Sequence, residues 1–82
     1  MAIPVLQLMS RQGCCLCEDA EIVMADFVAQ GRCTLDVVDV DQHPALAMRF
    51  GMDVPVVLMN DVVCLMHRIT HDEIESLLEA GC

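Results

Sequence analysis

The sequence predicts an α/β protein in which helices flank a four-stranded mixed β-sheet. Apolar runs of strand length alternate with segments whose apolar residues recur at helical spacing, and turn residues separate the two kinds of segment. The last predicted element is a capped helix. The predicted order of elements is therefore β-α-β-α-β-β-α.

The first strand and the first helix are predicted within residues 4–31. Pro4 to Met9 is an apolar run that ends before Ser10 and Gly13, which is typical of a buried strand. Gly31 occupies the position at which glycine commonly ends a helix. Between them, one stripe of a helix with 3.6 residues per turn consists of Leu16, Ala20, Val23, Met24, Phe27 and Val28.

A second strand and a short helix are predicted next. Cys33 to Val40 is the predicted strand, and a strand-helix-strand unit makes its two strands parallel. Pro44 suits the first turn of a helix, which would continue from Ala45 to Phe50 and end at Gly51.

The last third of the chain predicts a β-hairpin followed by a helix. Val54 to Met59 and Val62 to Met66 are apolar runs, and Asn60-Asp61 between them tolerates the backbone of a two-residue turn. The segment Thr70 to Glu73 has the pattern of a capping box. Ile69 and Ile74 would form a hydrophobic staple at the start of this helix. Its buried face would consist of Ile74, Leu77 and Leu78.

Length and hydropathy limit the possible organisation. A chain of 82 residues supports one hydrophobic core, so we expect residues 1–82 to form a single domain. Apolar residues make up 56 % of the chain, but polar residues interrupt every apolar run well before the roughly 20 residues of a membrane span. Residues 1–6 contain no basic side chain, unlike a secretion signal. We therefore expect a cytoplasmic protein without a membrane partner.

The charge of the chain is strongly negative. Thirteen acidic side chains oppose four arginines, and the net charge is −9. Such a charge disfavours association with phosphate backbones, so we expect no nucleic-acid partner.

Cys14 and Cys17 are the candidate reactive pair among the six cysteines. They lie where the first strand passes into the first helix, and residues three apart share one helix face, so their sulfur atoms can approach bonding distance. The helix N-terminus and the nearby Arg11 favour a thiolate at Cys14. The acidic residues after Cys17 disfavour a second thiolate. We expect Cys14 to attack a substrate disulfide and Cys17 to resolve the mixed disulfide.

A metal centre is the alternative for the same segment. Cys14, Cys15 and Cys17 would then hold a metal ion or an iron-sulfur cluster. Zinc sites usually add a second cysteine pair or a histidine pair, but His67 and His71 flank the predicted cap of the last helix. A copper-chaperone fold should end on a strand rather than on a helix. We therefore favour thiol-disulfide chemistry and expect no metal ligands.

Three separated stretches resemble glutaredoxins, and more closely the short bacterial glutaredoxin-like proteins. Residues 10–17 resemble the active-site segment of the family, whose last four residues are Cys-Pro-Tyr-Cys. Asp39 to Gly51 resembles its second strand and linker helix, and Val54-Pro55 resembles a Val-Pro whose proline is cis. Here Cys15 and Leu16 replace the Pro and Tyr of the family. The resemblance covers nearly the whole chain and implies a thioredoxin fold.

The resemblance also implies a function in cell redox homeostasis and electron transport. Substrate-binding residues would include Arg11, Asp53, Val54 and Pro55, and the backbone of Val54 would pair with an extended peptide or with glutathione. Asp53 replaces a threonine of the family and would repel the carboxylates of glutathione. We expect a monomer without a resident cofactor, whose partner is a disulfide-containing protein or a small thiol, with glutathione considered as a co-substrate.

The other cysteines and the methionines are given structural roles. We expect Cys33 and Cys64 to be small buried side chains, although the end of its strand could bring Cys64 near the dithiol. Cys15 is expected to be exposed without a catalytic role, and Cys82 to be unpaired and prone to intermolecular disulfides. The methionines predicted to fill the core are Met9, Met24, Met48, Met52, Met59 and Met66.

Overall fold

The computed structural model describes residues 3–81. Its elements are β1 (Val5–Ser10), α1 (Cys15–Ala29), β2 (Thr34–Asp39), a 3₁₀ turn (Val40–Gln42), α2 (Pro44–Phe50), β3 (Val56–Met59), β4 (Val62–Met66) and α3 (His71–Ala80). The predicted order β-α-β-α-β-β-α is confirmed, with β2 beginning after Cys33 and β3 after Pro55. No helix within residues 3–81 is both long enough and apolar enough to cross a membrane.

The sheet has the strand order β2-β1-β3-β4. β1 pairs with β2 in parallel, as predicted, whereas β3 is antiparallel to both β1 and β4. Val56 pairs with Met9 on one side and with Met66 on the other. The end of β1, the start of β3 and the end of β4 therefore lie at one edge of the sheet. We call this edge the active edge, because the segments that leave it carry the candidate redox residues.

The core occupies both faces of the sheet because side chains alternate along each strand. Leu8 and Val57 belong to the cluster that packs under α1 and α3. Met9 and Val56, their neighbours in sequence, belong to the cluster on the opposite face, which includes Phe50 of α2. The sheet is thus covered by two helices on one face and by the short α2 on the other.

Helix α1 buries a stripe that differs in part from the predicted one. Its buried residues are Cys17, Ala20, Met24 and Phe27. Leu16 and Val28, which were assigned to the buried stripe, are 42 % and 38 % exposed. Apolar residues occur on more than one side of this helix, so periodicity alone could not select the side that contacts the sheet. The contact with the sheet places Cys17 inside.

The end of α1 follows the prediction made for Gly31. This glycine has φ +72°, a backbone conformation that is costly for residues with a Cβ atom. Its N–H donates to the carbonyl of Val28 at 2.9 Å, and the N–H of Arg32 donates to that of Phe27 at 3.1 Å. These two bonds form a Schellman motif, which turns the chain from α1 toward β2.

The β3–β4 hairpin also has the predicted turn. Asn60 and Asp61 have φ values of +54° and +63°. Positive φ at both central residues is the signature of a type I′ turn, whose twist matches that of the strands. The turn sets the register near it, where Met59 pairs with Val62 and Leu58 with Val63. A register shift between Val57 and Leu58 then places Met66 beside Val56.

Three methionines that were predicted to fill the core are exposed. Met48 is 90 % exposed and Met52 is 97 % exposed. Helix α2 contacts the sheet through Leu46 and Phe50, which leaves Met48 on its outer side. Met66 is 39 % exposed at the end of β4, whereas Met9 and Met24 are buried as predicted.

Helix α3 begins with the predicted cap. The hydroxyl oxygen of Thr70 accepts a hydrogen bond from the N–H of Glu73 at 3.2 Å, and the hydroxyl donates to the Glu73 carboxylate at 3.1 Å. The staple residues Ile69 and Ile74 are both buried in the core cluster under α1 and α3, with Leu77. Capping and burial together hold α3 on the sheet.

Replacing the capping residue should destabilise the protein without changing the core. Thr70→Ala leaves the first backbone N–H groups of α3 without their side-chain acceptor, and we expect a loss of about 1 kcal/mol in the free energy of unfolding. Urea unfolding followed by circular dichroism measures this loss. Ser76→Ala, an exposed hydroxyl deletion within α3, is the matched control and should cause no comparable loss. An equal loss in both variants would contradict the capping argument.

Candidate redox site

Cys14 and Cys17 form a disulfide at the active edge, with their Cα atoms 5.2 Å apart. Cys14 is the N-cap residue of α1, and its Sγ accepts a hydrogen bond from the N–H of Cys17 at 3.1 Å. A hydrogen-bond donor at a helix N-terminus stabilises the thiolate form of cysteine. Cys14 is half-buried, whereas Cys17 is only 1 % exposed. A substrate can therefore reach the sulfur of Cys14 more readily than that of Cys17.

Arg11 ties the loop before Cys14 to the opposite side of the active edge. Its guanidinium donates to both carboxylate oxygens of Asp41, at 2.6 and 3.1 Å, and to the carbonyl of Gly51 at 2.9 Å. The bond from Arg11 lowers the pKa of Asp41, and the same bond raises the pKa of Arg11. The charge of Arg11 is thus balanced largely by Asp41. Asp41 was not identified from the sequence, because a partner 30 residues away leaves no local pattern.

Val54 and Pro55 lie beside this loop. The Val54-Pro55 peptide bond is cis, which confirms the prediction. Pro55 is fully buried, and its carbonyl accepts a hydrogen bond from the N–H of His67 at 2.8 Å. Because Val56 pairs with Met9, Pro55 lies at the same edge of the sheet as the loop that leads to Cys14. Among the described residues, no hydrogen bond of a turn or loop involves the backbone of Val54.

The carboxylate of Asp53 is paired with a histidine at the active edge. One of its carboxylate oxygens lies 3.0 Å from Nε2 of His67, the residue that follows β4. Both side chains remain accessible, with 44 % of Asp53 and 61 % of His67 exposed. The sequence indicates His67 only as a possible metal ligand. Only the pairing of β4 with β3 brings it to Asp53.

A polar cleft of about 350 Å³ opens beside the dithiol loop. Arg11 and Gly13 line one side of it, and the carboxylates of Glu18, Glu21 and Asp39 also contribute to its walls. Since Arg11 is paired with Asp41, the acidic side chains dominate the charge of this cleft. The surface around the dithiol is therefore unfavourable for anions.

The remaining cysteines are distributed over different environments. Cys15 is exposed, as expected, and Cys33 is buried. Burial raises the pKa of the Cys33 thiol. Cys64 is half-buried in β4 and packs against the core cluster under α1 and α3. Cys82 lies outside the described residues.

The two histidines considered as metal ligands bind different carboxylates. His71 pairs with Asp26 of α1 at 2.8 Å, whereas His67 pairs with Asp53. Within residues 3–81, no three side chains of His, Cys, Asp or Glu are grouped in a way that could hold a metal ion.

A family model described as the Glutaredoxin-like domain (DUF836) matches residues 5–79. The chain belongs to this family. The match includes the disulfide-bonded Cys14 and Cys17, the cis proline and most of α3.

Solved structures show which fold the glutaredoxin-like chain has. A structural-genomics target protein from X. campestris is 26 % identical, with a TM-score of 0.79, and the alignment covers 94 % of this chain and 99 % of that one. A mutant thioredoxin from Halobacterium salinarum is 24 % identical, with a TM-score of 0.70 and coverages of 95 % and 74 %. Desulfothioredoxin from Desulfovibrio vulgaris is 19 % identical, with a TM-score of 0.69 and coverages of 96 % and 82 %. The predicted thioredoxin fold is therefore confirmed.

The environments of the cysteines predict an order of reactivity in the reduced protein. At neutral pH, iodoacetamide should modify Cys14 well before Cys17, which is inaccessible, and before Cys33, whose pKa is raised by burial. Peptide mapping by mass spectrometry measures the order, and a Cys15→Ser variant removes the ambiguity of the adjacent exposed thiol. Urea should make Cys33 reactive. Modification of Cys17 or Cys33 before Cys14 would contradict this assignment.

Proposed function

We propose that this glutaredoxin-like protein is a thiol-disulfide oxidoreductase that uses Cys14 as the attacking thiol and Cys17 as the resolving thiol. The unequal exposure of two cysteines that form a disulfide at the active edge carries the proposal. An accessible thiol can meet a substrate, while a buried neighbour is protected from external disulfides. The family assignment and the thioredoxin fold support the same chemistry.

The reaction consists of two exchange steps. The thiolate of Cys14 attacks one sulfur of the substrate disulfide, the substrate S–S bond breaks, and one thiolate leaves. Cys17 then loses its proton and attacks the sulfur of Cys14, which releases the second substrate thiolate. Two electrons pass from the dithiol to the substrate, and the Cys14–Cys17 disulfide is the oxidised product. A thiol or dithiol reductant returns the protein to its reduced form.

A segment of an extended protein chain is the substrate that the surface suits best. Leu16 is 42 % exposed beside the dithiol, and Met52 is 97 % exposed just before the cis-proline segment. The backbone of Val54, two residues after Met52, is available to pair with an incoming strand. Apolar contacts and backbone pairing would bind a disulfide-bearing chain without requiring a particular sequence.

Glutathione is a weaker candidate because of its charge. Its carboxylates would meet the acidic cleft beside the dithiol and the carboxylate of Asp53. A unit charge pair at about 4 Å contributes roughly 1 kcal/mol in water and more near a protein surface. Such repulsion would raise the KM for glutathione-linked substrates.

The proposed activity suits a monomer in the cytoplasm. Cytoplasmic thiols keep protein dithiols reduced, so in this compartment the protein would reduce disulfides rather than form them. A role in redox homeostasis and in electron transfer between thiols follows from this direction. We propose no resident cofactor, no membrane partner and no nucleic-acid partner, the last because the chain carries a net charge of −9.

Two cysteine variants should distinguish this function from metal or cluster binding through Cys14, Cys15 and Cys17. Cys17→Ser should stop multiple turnover of a model protein disulfide and trap a mixed disulfide on Cys14. Cys15→Ser should retain at least about half of the activity, because exchange needs only one resolving thiol.

Reduction of insulin by dithiothreitol measures turnover, and intact-protein mass spectrometry detects the trapped adduct. Cys14→Ser is the control that should abolish both. Metal analysis and absorbance spectra of protein purified without oxidation test the alternative. Stoichiometric metal that disappears equally in Cys15→Ser and Cys17→Ser would overturn the proposed function.

A further inference from the structure

The cis-proline segment carries a histidine–carboxylate pair, and the net charge of this pair depends on whether the imidazole is protonated. Asp53 precedes Val54-Pro55, and His67 is held to the same segment by its backbone bond to the Pro55 carbonyl. The imidazole and the carboxylate meet at 3.0 Å on the surface. A substrate that pairs with Val54 must therefore pass close to both groups.

We propose that His67 is a specificity-determining residue that sets, through Asp53, which substrate charges the active edge accepts. Imidazoles change charge between about pH 5 and 8. With a neutral imidazole the pair carries the negative charge of Asp53, and with a protonated imidazole its net charge is zero. Disulfides with cationic or uncharged flanks are therefore the preferred class when the imidazole is neutral, while anionic disulfides are better tolerated when it is protonated. This inference rests on the proposed function.

Other charged groups near the pair do not replace this control. Arg11, from the β1–α1 loop, is held by Asp41 and by the carbonyl of Gly51. The acids of the polar cleft, such as Glu18, add a negative background. Arg68, the exposed residue after His67, contributes a positive charge that stays constant over this pH range. Among the charged side chains named here, His67 is the one imidazole, the side-chain type that changes charge between about pH 5 and 8.

The chain supplies a matched control for this pair. His71 and Asp26 form a second exposed histidine-carboxylate pair at 2.8 Å between α3 and α1. It has the same chemistry but does not adjoin the cis-proline segment. A variant at His71 therefore removes an equivalent titrating group without changing the charge beside Val54.

Single-turnover oxidation of the reduced protein measures the proposed selectivity. Rate constants are determined with oxidised glutathione, which is anionic, and with cystamine, which is cationic, by acid quench and mass spectrometry. Their ratio cancels the ionisation of Cys14. In the unmodified protein the glutathione-to-cystamine ratio should fall about two- to fivefold as the pH rises from about 5.5 to 8.

Substitutions at the pair should separate the effect of the imidazole from that of the carboxylate. His67→Asn, which tolerates the positive φ of +68° at this position, should hold the ratio at its low, alkaline value. Asp53→Asn should raise the ratio over the whole pH range, because the pair then carries no negative charge, but it should keep a fall with pH because the imidazole is still present. His71→Asn should behave like the unmodified protein, and high salt should flatten all the profiles.

A second measurement tests the same charge without any disulfide substrate. In a Cys15→Ser background, the ratio of the rates at which iodoacetate and iodoacetamide alkylate Cys14 reports the local potential. This ratio should fall with pH in the unmodified protein and stay constant in His67→Asn. If none of the disulfides reacts while the alkylation ratio follows this pattern, the proposed function fails, and with it the selection of substrates, although His67 is shown to control the charge near Cys14. If the ratio in His67→Asn fell with pH as steeply as in the unmodified protein, in either assay, this result would overturn the inference.

Discussion

The pairing of Val56 with both Met9 and Met66 is the constraint on which the site depends. This one rung across β1, β3 and β4 brings three chain segments to a single edge of the sheet. One segment carries the dithiol, one carries the cis proline and one carries His67. A shift of one residue in any of these pairings would turn alternate side chains to the wrong face and exchange the two halves of the core. Burial of the two core clusters therefore fixes the register of β1, β3 and β4, and this register brings the three segments of the site together.

The dithiol gains its asymmetry from the way α1 packs. Cys14 caps the helix, where its sulfur receives the N–H of Cys17, while Cys17 turns inward with Ala20 and Met24. A rotation of α1 that buried Leu16 instead would expose both sulfur atoms to external disulfides. Packing of an ordinary amphipathic helix is thus also what separates the accessible thiol from the protected one.

Electrostatics at the active edge arise from pairs rather than from single residues. Arg11 donates its hydrogen bonds to Asp41 and to the carbonyl of Gly51. The bond to Gly51 joins the dithiol loop to the end of α2. Asp53 meets His67 in the same way across the cis-proline segment. The Arg11–Asp41 pair is neutral, whereas the net charge of the Asp53–His67 pair depends on whether the imidazole is protonated. The acidic cleft is left to dominate the background, which makes partner selection depend on small local changes in charge.

The sequence by itself determined the order of the elements, the hairpin turn, the cap of α3, the cis proline and the candidate dithiol. Local features specify all of these: periodicity, Asn60-Asp61, the capping box at Thr70 and two short motifs that resemble those of the family. Tertiary structure decided which stripe of α1 is buried, that Met48 and Met52 are exposed, and which partners Arg11 and Asp53 find. These outcomes depend on strand register and helix orientation, which join residues 14 to 40 positions apart. Local patterns cannot encode such contacts, because each pair forms only after the sheet has brought its two segments together.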